Sequence, residues 1–430
     1  MSDTRNIVLI SISRLISELG SVALRFALSL YILDITGSPL MFGFVFGFTY
    51  IPGVIVNLFA GVLIDRSNKK KILIAADLLS GITTILFLVL FLVQPANIGL
   101  LICYVIILYS FQAVFLLAMN AAIPELVSKS RVMAVNSNIQ SISTLLSIVG
   151  LFVGAFAYGA FGIEMVFLID GISFILSGII NVFFVFRKKS EESLQNNTYW
   201  QSMKEVHQYI KDRNELKYLL GIFLVINFMF VPIVTLVMPY IMREIYEMSE
   251  FYIALIEGAL GLGLIVGALL VAIKKIGRFV INKIFILFQL LAFMTVLWVF
   301  PELPFISINS SLVILLGYMI ILTFMGMFNS MANIPMVSYV QIYIPEKMRA
   351  SFFGIVTTVA TMSVPVGLWI YGAALEMISW IYLTTISGVT LIIIGFIAHR
   401  NQELREFFSR EQDDHEDHME LNPIEVVESN

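Results

Sequence analysis

The stretch GAFAYGA, Gly154 to Ala160, closes one long apolar run, and GLWIYGA, Gly367 to Ala373, lies in another, half the chain away. Both read Gly-x-x-x-Tyr-Gly-Ala. Seven residues can match by chance, so the surroundings decide. Pro124-Glu125 and then Arg131 precede the first run; Pro345-Glu346 and then Arg349 precede the second. Each run is the fifth of six on its side of the longest polar segment, Arg187 to Lys217. Position, loop and spacing agree, and the simplest reading is an internal duplication.

The bulk numbers say where such a chain lives. Hydrophobic residues make up 59% of it and charged residues only 13%, about half the charged share of a soluble domain. The apolar residues fall in runs of about 20, the length that crosses hydrocarbon as a helix. There are twelve, at about 7–31, 40–64, 72–93, 99–122, 135–160, 164–186, 217–240, 251–273, 280–300, 311–335, 352–374 and 379–398. The expected fold class is an all-α polytopic membrane protein with twelve transmembrane helices in two pseudo-symmetric six-helix bundles. Its expected divisions are residues 1–190, a linker at 191–215, residues 216–400 and a disordered acidic tail at 401–430. Duplicated bundles of this kind characterise a class of secondary transporter with its substrate site between the halves.

With the amino terminus inside, all but three of the 26 basic residues fall in inside segments. The exceptions are Arg14 and Arg25 in span one and Arg243 in an outside loop. The positive-inside rule then puts both termini in the cytoplasm. Met1 to Ile32 reads as a retained span, because Arg14 and Glu18 interrupt it and no A-x-A-like site follows. In the linker, Trp200, Met203, Val206, Tyr209 and Ile210 recur at helical spacing, as expected of an amphipathic helix on the inner membrane surface. The single Cys103 excludes an internal disulfide and argues against a metal site.

Between spans two and three stands GVLIDRSNKKK, Gly61 to Lys71. It resembles the major facilitator superfamily signature G-x-L-x-D-R-x-G-R-K, with Asn68 for the second Gly and Lys69 for the Arg. The first 95 residues resemble the macrolide-efflux and siderophore-exporter branch of bacterial permeases. The resemblance implies that Asp65 and Arg66, with Gly61, Lys69 and Lys70, belong to a charge network that latches the two halves in one state. Gly150, Gly154 and Gly159 fall where the superfamily's antiporter signature has Gly, but Ala155 and Tyr158 depart from it. Close packing of helices is the plainer role for these glycines, and for Gly367 and Gly372.

Charge inside the membrane is costly, about 2.5 to 3.5 kcal/mol per side chain at mid-helix on insertion scales. Span one carries it three times. Arg14, Glu18 and Arg25, with Ser21, form one stripe at helical spacing, which must face the bundle interior. Arg14 and Glu18 are one turn apart and suited to pairing, either as a fixed structural pair or as a coupling site. A carboxylate whose surroundings change between two states can take up a proton on one side and release it on the other. Glu18 is the leading candidate, followed by Asp170 and Glu257, each placed to pair with Arg25 or line an outer cavity. Asp77 is assigned to the network of the signature loop. Gln112, Asn227, Gln289, Asn329 and Asn333 are candidates for the substrate cavity, with Arg25 and Ser21.

Gly258 to Gly267, GALGLGLIVG, mimics a nucleotide loop but lies inside an apolar run, and no GxxxxGK[ST] loop occurs. The expectation is a proton-coupled exporter of amphipathic, drug- or macrolide-like small molecules in the bacterial plasma membrane, working by alternating access. Uptake or flipping of a lipid or siderophore is the alternative, and a non-transporting sensor the remote one. No enzyme activity, cofactor, metal or nucleic acid is expected. The partners are a small-molecule substrate, protons and the lipid bilayer, and the chain is expected to act as a monomer.

Overall fold

The computed structural model describes residues 2–60, 64, 67–186, 199–281, 283–303 and 310–408. Gly61, Asp65 and Arg66, the first part of the linker and the tail beyond 408 lie outside the described residues. Among the described residues every regular element is helical. Twelve helices are long and apolar enough to cross a membrane.

The first six spans are α1 (Ser2–Thr36), α2 (Pro39–Phe59), α3 (Lys69–Val93), α4 (Ile98–Leu126), α5 (Lys129–Phe161) and α6 (Ile163–Val182). Side-chain caps mark several starts: Ser38 for α2, Asn97 for α4, and Asn68 for α3, where it accepts from Lys71 N. The residue that replaces a signature glycine is thus the N-cap of the third span. A short helix α7 (Tyr199–Lys211) follows. The second six spans are α8 (Asn214–Ile245), α9 (Glu250–Ala272), α11 (Ile284–Glu302), α12 (Ser311–Tyr343), α13 (Glu346–Met377) and α14 (Trp380–Arg400), with a short α10 (Lys274–Ile281) before α11. Residues 402–408 form a last short helix, α15.

Two expectations need refinement. The described part of the linker helix's apolar face, Val206, Tyr209 and Ile210, packs on the second bundle. Val206 is buried with Leu216, Leu219 and Val280, and Tyr209 and Ile210 pack beside it. The tail does not begin at 401. Leu404, Phe407 and Phe408 are buried in the same cluster, and the Tyr339 hydroxyl donates to Phe407 O. Both segments supply apolar side chains at helical spacing to a bundle end that would otherwise be open.

The duplicated signature has matching roles in the two halves. A Cβ on Gly154 would come 2.7 Å from Ala23 O on α1, and one on Gly367 would strike Phe228 O on α8. The first glycine of each copy therefore lets the fifth span approach the first span of its own half. A Cβ on Gly159 would come 3.3 Å from Glu250 at the start of α9, and one on Gly372 2.7 Å from Pro39 O at the start of α2. The last glycine of each copy meets the second span of the opposite half. Small residues at such crossings allow backbones to touch where lipid supplies no hydrophobic drive.

The buried apolar residues show how the halves sit. At the face away from the termini one cluster joins them, with Phe42, Phe46, Phe87 and Phe167 from the first half and Leu236, Ile253, Trp298 and Leu368 from the second. Toward the termini, among the described residues, the clusters are separate. Ile10, Leu73, Met119 and Phe184 belong to one, and Phe285, Met336, Tyr339 and Phe352 to the other. The bundles meet at the far face and part toward the face carrying the termini.

Candidate functional site

A cavity of about 280 Å³ lies within the first bundle, midway along α1. The α1 stripe supplies Arg14, Ser17, Glu18, Ser21 and Arg25, so five residues spaced over three turns share one cavity wall. Thr49 and Gly53 from α2, Asp77 from α3 and Tyr109 and Gln112 from α4 complete its polar lining. Phe115, Leu116 and Phe174 give it an apolar side. The cavity is amphipathic, with charge concentrated on one helix.

Arg14 Nη2 donates to Glu18 Oε2 at 2.9 Å, and Ser143 Oγ on α5 donates to the same oxygen at 2.8 Å. The pair is partly open, with exposures of 16% and 21%. Glu18 thus links α1 to α5 as well as to Arg14. Arg14 Nε is buried without a hydrogen-bond partner, so the pair leaves part of the guanidinium unsatisfied, a costly arrangement in a low-dielectric interior.

Asp77 lines this cavity, while Asp65 and Arg66 of the signature loop, to whose network it was assigned, lie outside the described residues. Its Oδ2 accepts from Ser177 Oγ at 2.5 Å and Asn181 Nδ2 at 2.7 Å. Ser13 reaches both of those residues, at 2.7 and 2.9 Å. The loop's own lysines bond elsewhere in the first half: Lys69 pairs with Glu125 and Lys70 Nζ donates to Phe184 O at 2.9 Å. Neither crosses between the halves.

Arg25 sits about 16 Å beyond Arg14 along α1, at 1.5 Å per residue. Tyr109 lines the cavity with it, and the phenols of Tyr109 and Tyr50 and the Glu18 carboxylate lie near enough to interact with its charge. No carboxylate among the described residues forms an ion pair with it. Asp170 does not pair with it, contrary to expectation, and does not line the cavity. That carboxylate is fully buried on α6; Thr84 Oγ1 donates to Oδ2 at 3.4 Å, and Oδ1 has no hydrogen-bond partner. Glu257 is half-buried on α9, at a separation where it still feels the Arg25 charge.

The polar residues expected to line the path from the second half do not reach this cavity. Asn227 donates to Phe223 O of its own helix at 2.9 Å. Gln289 packs beside Gly395 on α14. Asn329 is half-buried and Asn333 exposed. Gly150 packs on Val22 of α1.

A group that sequence reasoning missed lies at the far face, where the halves meet. Pro232 and Pro239 remove two donors from the α8 ladder, and π turns at Ile233–Val237 and Ile241–Ile245 accompany them. The second carries Arg243 to Asp34, at 2.5 and 2.9 Å, and to Glu250 at 3.0 Å. Tyr158 Oη, in the GAFAYGA stretch, donates to Asp34 at 2.5 Å. Ser38 and Glu376 form a second polar link between the halves. The available signal was Arg243 itself, the lone basic residue outside the inside segments and span one.

Comparison with known proteins bears on the family and the fold. The profile described as Major Facilitator Superfamily matches residues 10–368. The chain is 26% identical over 326 residues to the uncharacterized MFS-type transporter YkuC of Bacillus subtilis (strain 168), covering 70% of this chain and 74% of that one. It is 22% identical over 401 residues to macrolide efflux protein A of Streptococcus pyogenes, covering 91% and 94%. Among solved structures, a mutant of the nucleoside transporter NupG superposes with a TM-score of 0.71 at 13% identity, covering 92% of this chain and 100% of that one. The D-xylose-proton symporter superposes with a TM-score of 0.68 at 13% identity, covering 92% and 98%. A match over most of the length, on two joined six-helix bundles, identifies this chain as a member of the Major Facilitator Superfamily, a multi-pass membrane transporter and not an enzyme.

Proposed function

We propose that the chain exports amphipathic small molecules from the bacterial cytoplasm, driven by protons, by alternating access. The observation that carries this reading is the Arg14–Glu18 pair on the wall of a cavity with one apolar side. Arg14 and Ser143 stay with Glu18 in the first half, but its cavity-facing side gains or loses water and substrate as the halves rock. That gives it two environments, as coupling requires. The likeness to macrolide efflux protein A over nearly the whole length supports export. The parting of the bundles on the face with the termini suits a state that loads from the cytoplasm, given the basic residues gathered on that face.

Alternating access then has a physical outline. The far face is shut by the joined apolar cluster and the Arg243 group, and opening it requires separating both. The contacts of α2 with α13 and of α5 with α9, close at their glycines, are the surfaces on which the halves rock.

Direction and drive are tested with everted membrane vesicles from an overexpressing strain, supplied with labelled amphipathic compounds. Proton-dependent accumulation in everted vesicles is expected. Accumulation only in right-side-out vesicles would assign uptake instead.

A further inference from the structure

The charges in the cavity are divided between its two ends. At one end Arg14 faces Glu18 at 2.9 Å and also feels Asp77, whose carboxylate is held by Ser177 and Asn181. At the other end Arg25 forms no ion pair with a carboxylate of the described residues; Tyr109 lines the cavity beside it, and Glu18 and Glu257 act on its charge only from a distance. Gln112 lies one position past a helical half-turn from Tyr109 and lines the same wall. Arg25 is also open to the cavity, so its guanidinium keeps free donors there. A guanidinium within a membrane span without a carboxylate partner is an expensive arrangement to retain. Its planar fork of donors fits an oxyanion in a bidentate manner.

We infer that Arg25, with Tyr109 and Gln112, is the receptor for an oxyanion on the substrate, so that the transported molecules are amphipathic anions. The inference rests on reading this cavity as the substrate site. The anionic group, a carboxylate or a phosphate monoester, docks on Arg25, while the hydrocarbon part lies against Phe115, Leu116 and Phe174. Tyr109 and Gln112 add neutral donors at the same end. Glu257 on α9 is the rival for Arg25, since its carboxylate already feels that charge from across the two halves.

The test uses four probes on one skeleton: 4-phenylbutyrate, 4-phenylbutyl phosphate, 4-phenylbutanol and 4-phenylbutylamine. Binding to the purified full-length transporter is measured calorimetrically, without any gradient, so that failure of proton drive or of export would leave the result standing. The expected order places one or both anions at least tenfold tighter than the alcohol, with the amine weakest. The phosphate and carboxylate arms tell the two oxyanions apart. Arg25→Gln is expected to erase the preference and Arg25→Lys to keep part of it. Equal binding of anion and amine, tighter binding of the amine, no binding of either anion, or an anion preference that survives Arg25→Gln would overturn the proposal. Where Arg25→Gln does not fold, the order of the four probes on the unaltered protein decides alone.

Discussion

Arg243 and Asp34 form a two-pronged ion pair across the two halves, Nε to Oδ1 at 2.5 Å and Nη2 to Oδ2 at 2.9 Å. Each is about a quarter exposed, at 24% and 26%, so screening by water weakens the pair without abolishing it. Loss of the pair is expected to disfavour the shut far face by about 1 kcal/mol, roughly a fivefold shift in population. Arg243→Ala and Asp34→Asn should therefore widen the distance distribution between spin labels at Gln94 and Leu303, one on each half at that face. An unchanged distribution in both variants would remove the pair from the closure.

The first and last glycines of the repeated signature should respond differently to the same substitution. Gly154 contacts α1 of its own half, whereas Gly372 contacts α2 of the other half. A methyl group at either site must displace backbone, at a cost of about 1–3 kcal/mol. Gly154→Ala is expected to lower the thermal stability of the protein with little change in the label distances. Gly372→Ala is expected to shift the distances toward an open far face with a smaller loss of stability. The same response from both would mean that neither contact is specific to its interface.

Asp170 is sealed in the first bundle, with one oxygen bonded to Thr84 and the other without a partner. Replacement by Asn keeps the shape and removes the burden of a buried carboxyl. Asp170→Asn is expected to retain gradient-driven transport and to match or exceed the parent in thermal stability. Loss of uphill transport with normal folding would make Asp170 a coupling group despite its burial.

The span plan, the halves and the α1 stripe were legible because membrane insertion and helical spacing act locally, residue by residue, along the chain. Arg14, Glu18, Ser21 and Arg25 fall on one face from spacing alone, and one cavity receives all four. Partners from other helices were not legible. Nothing in the neighbourhood of Asp77 shows that Ser177 and Asn181 will meet it, or that Ser143 will reach Glu18. Those contacts depend on how six helices are rotated about their axes. The Arg243 group was missed because its partners come from the ends of three separate spans, and π turns shift the register that a 3.6-residue period assumes. The linker helix shows the opposite limit: its apolar stripe was visible, but an apolar face does not say whether lipid or protein covers it.

We propose that Glu18 carries the coupling proton. Gln at that position preserves shape and hydrogen bonding to Ser143 but cannot exchange a proton. The direct measurement compares downhill substrate exchange with proton-driven uphill transport in proteoliposomes containing Glu18→Gln. The account predicts retained exchange and lost uphill transport, with thermal stability near that of the parent. Uphill transport at the parental level would contradict it. A large loss of stability would assign the Arg14–Glu18 pair a structural role instead, since a stranded buried guanidinium destabilises by about 3–5 kcal/mol.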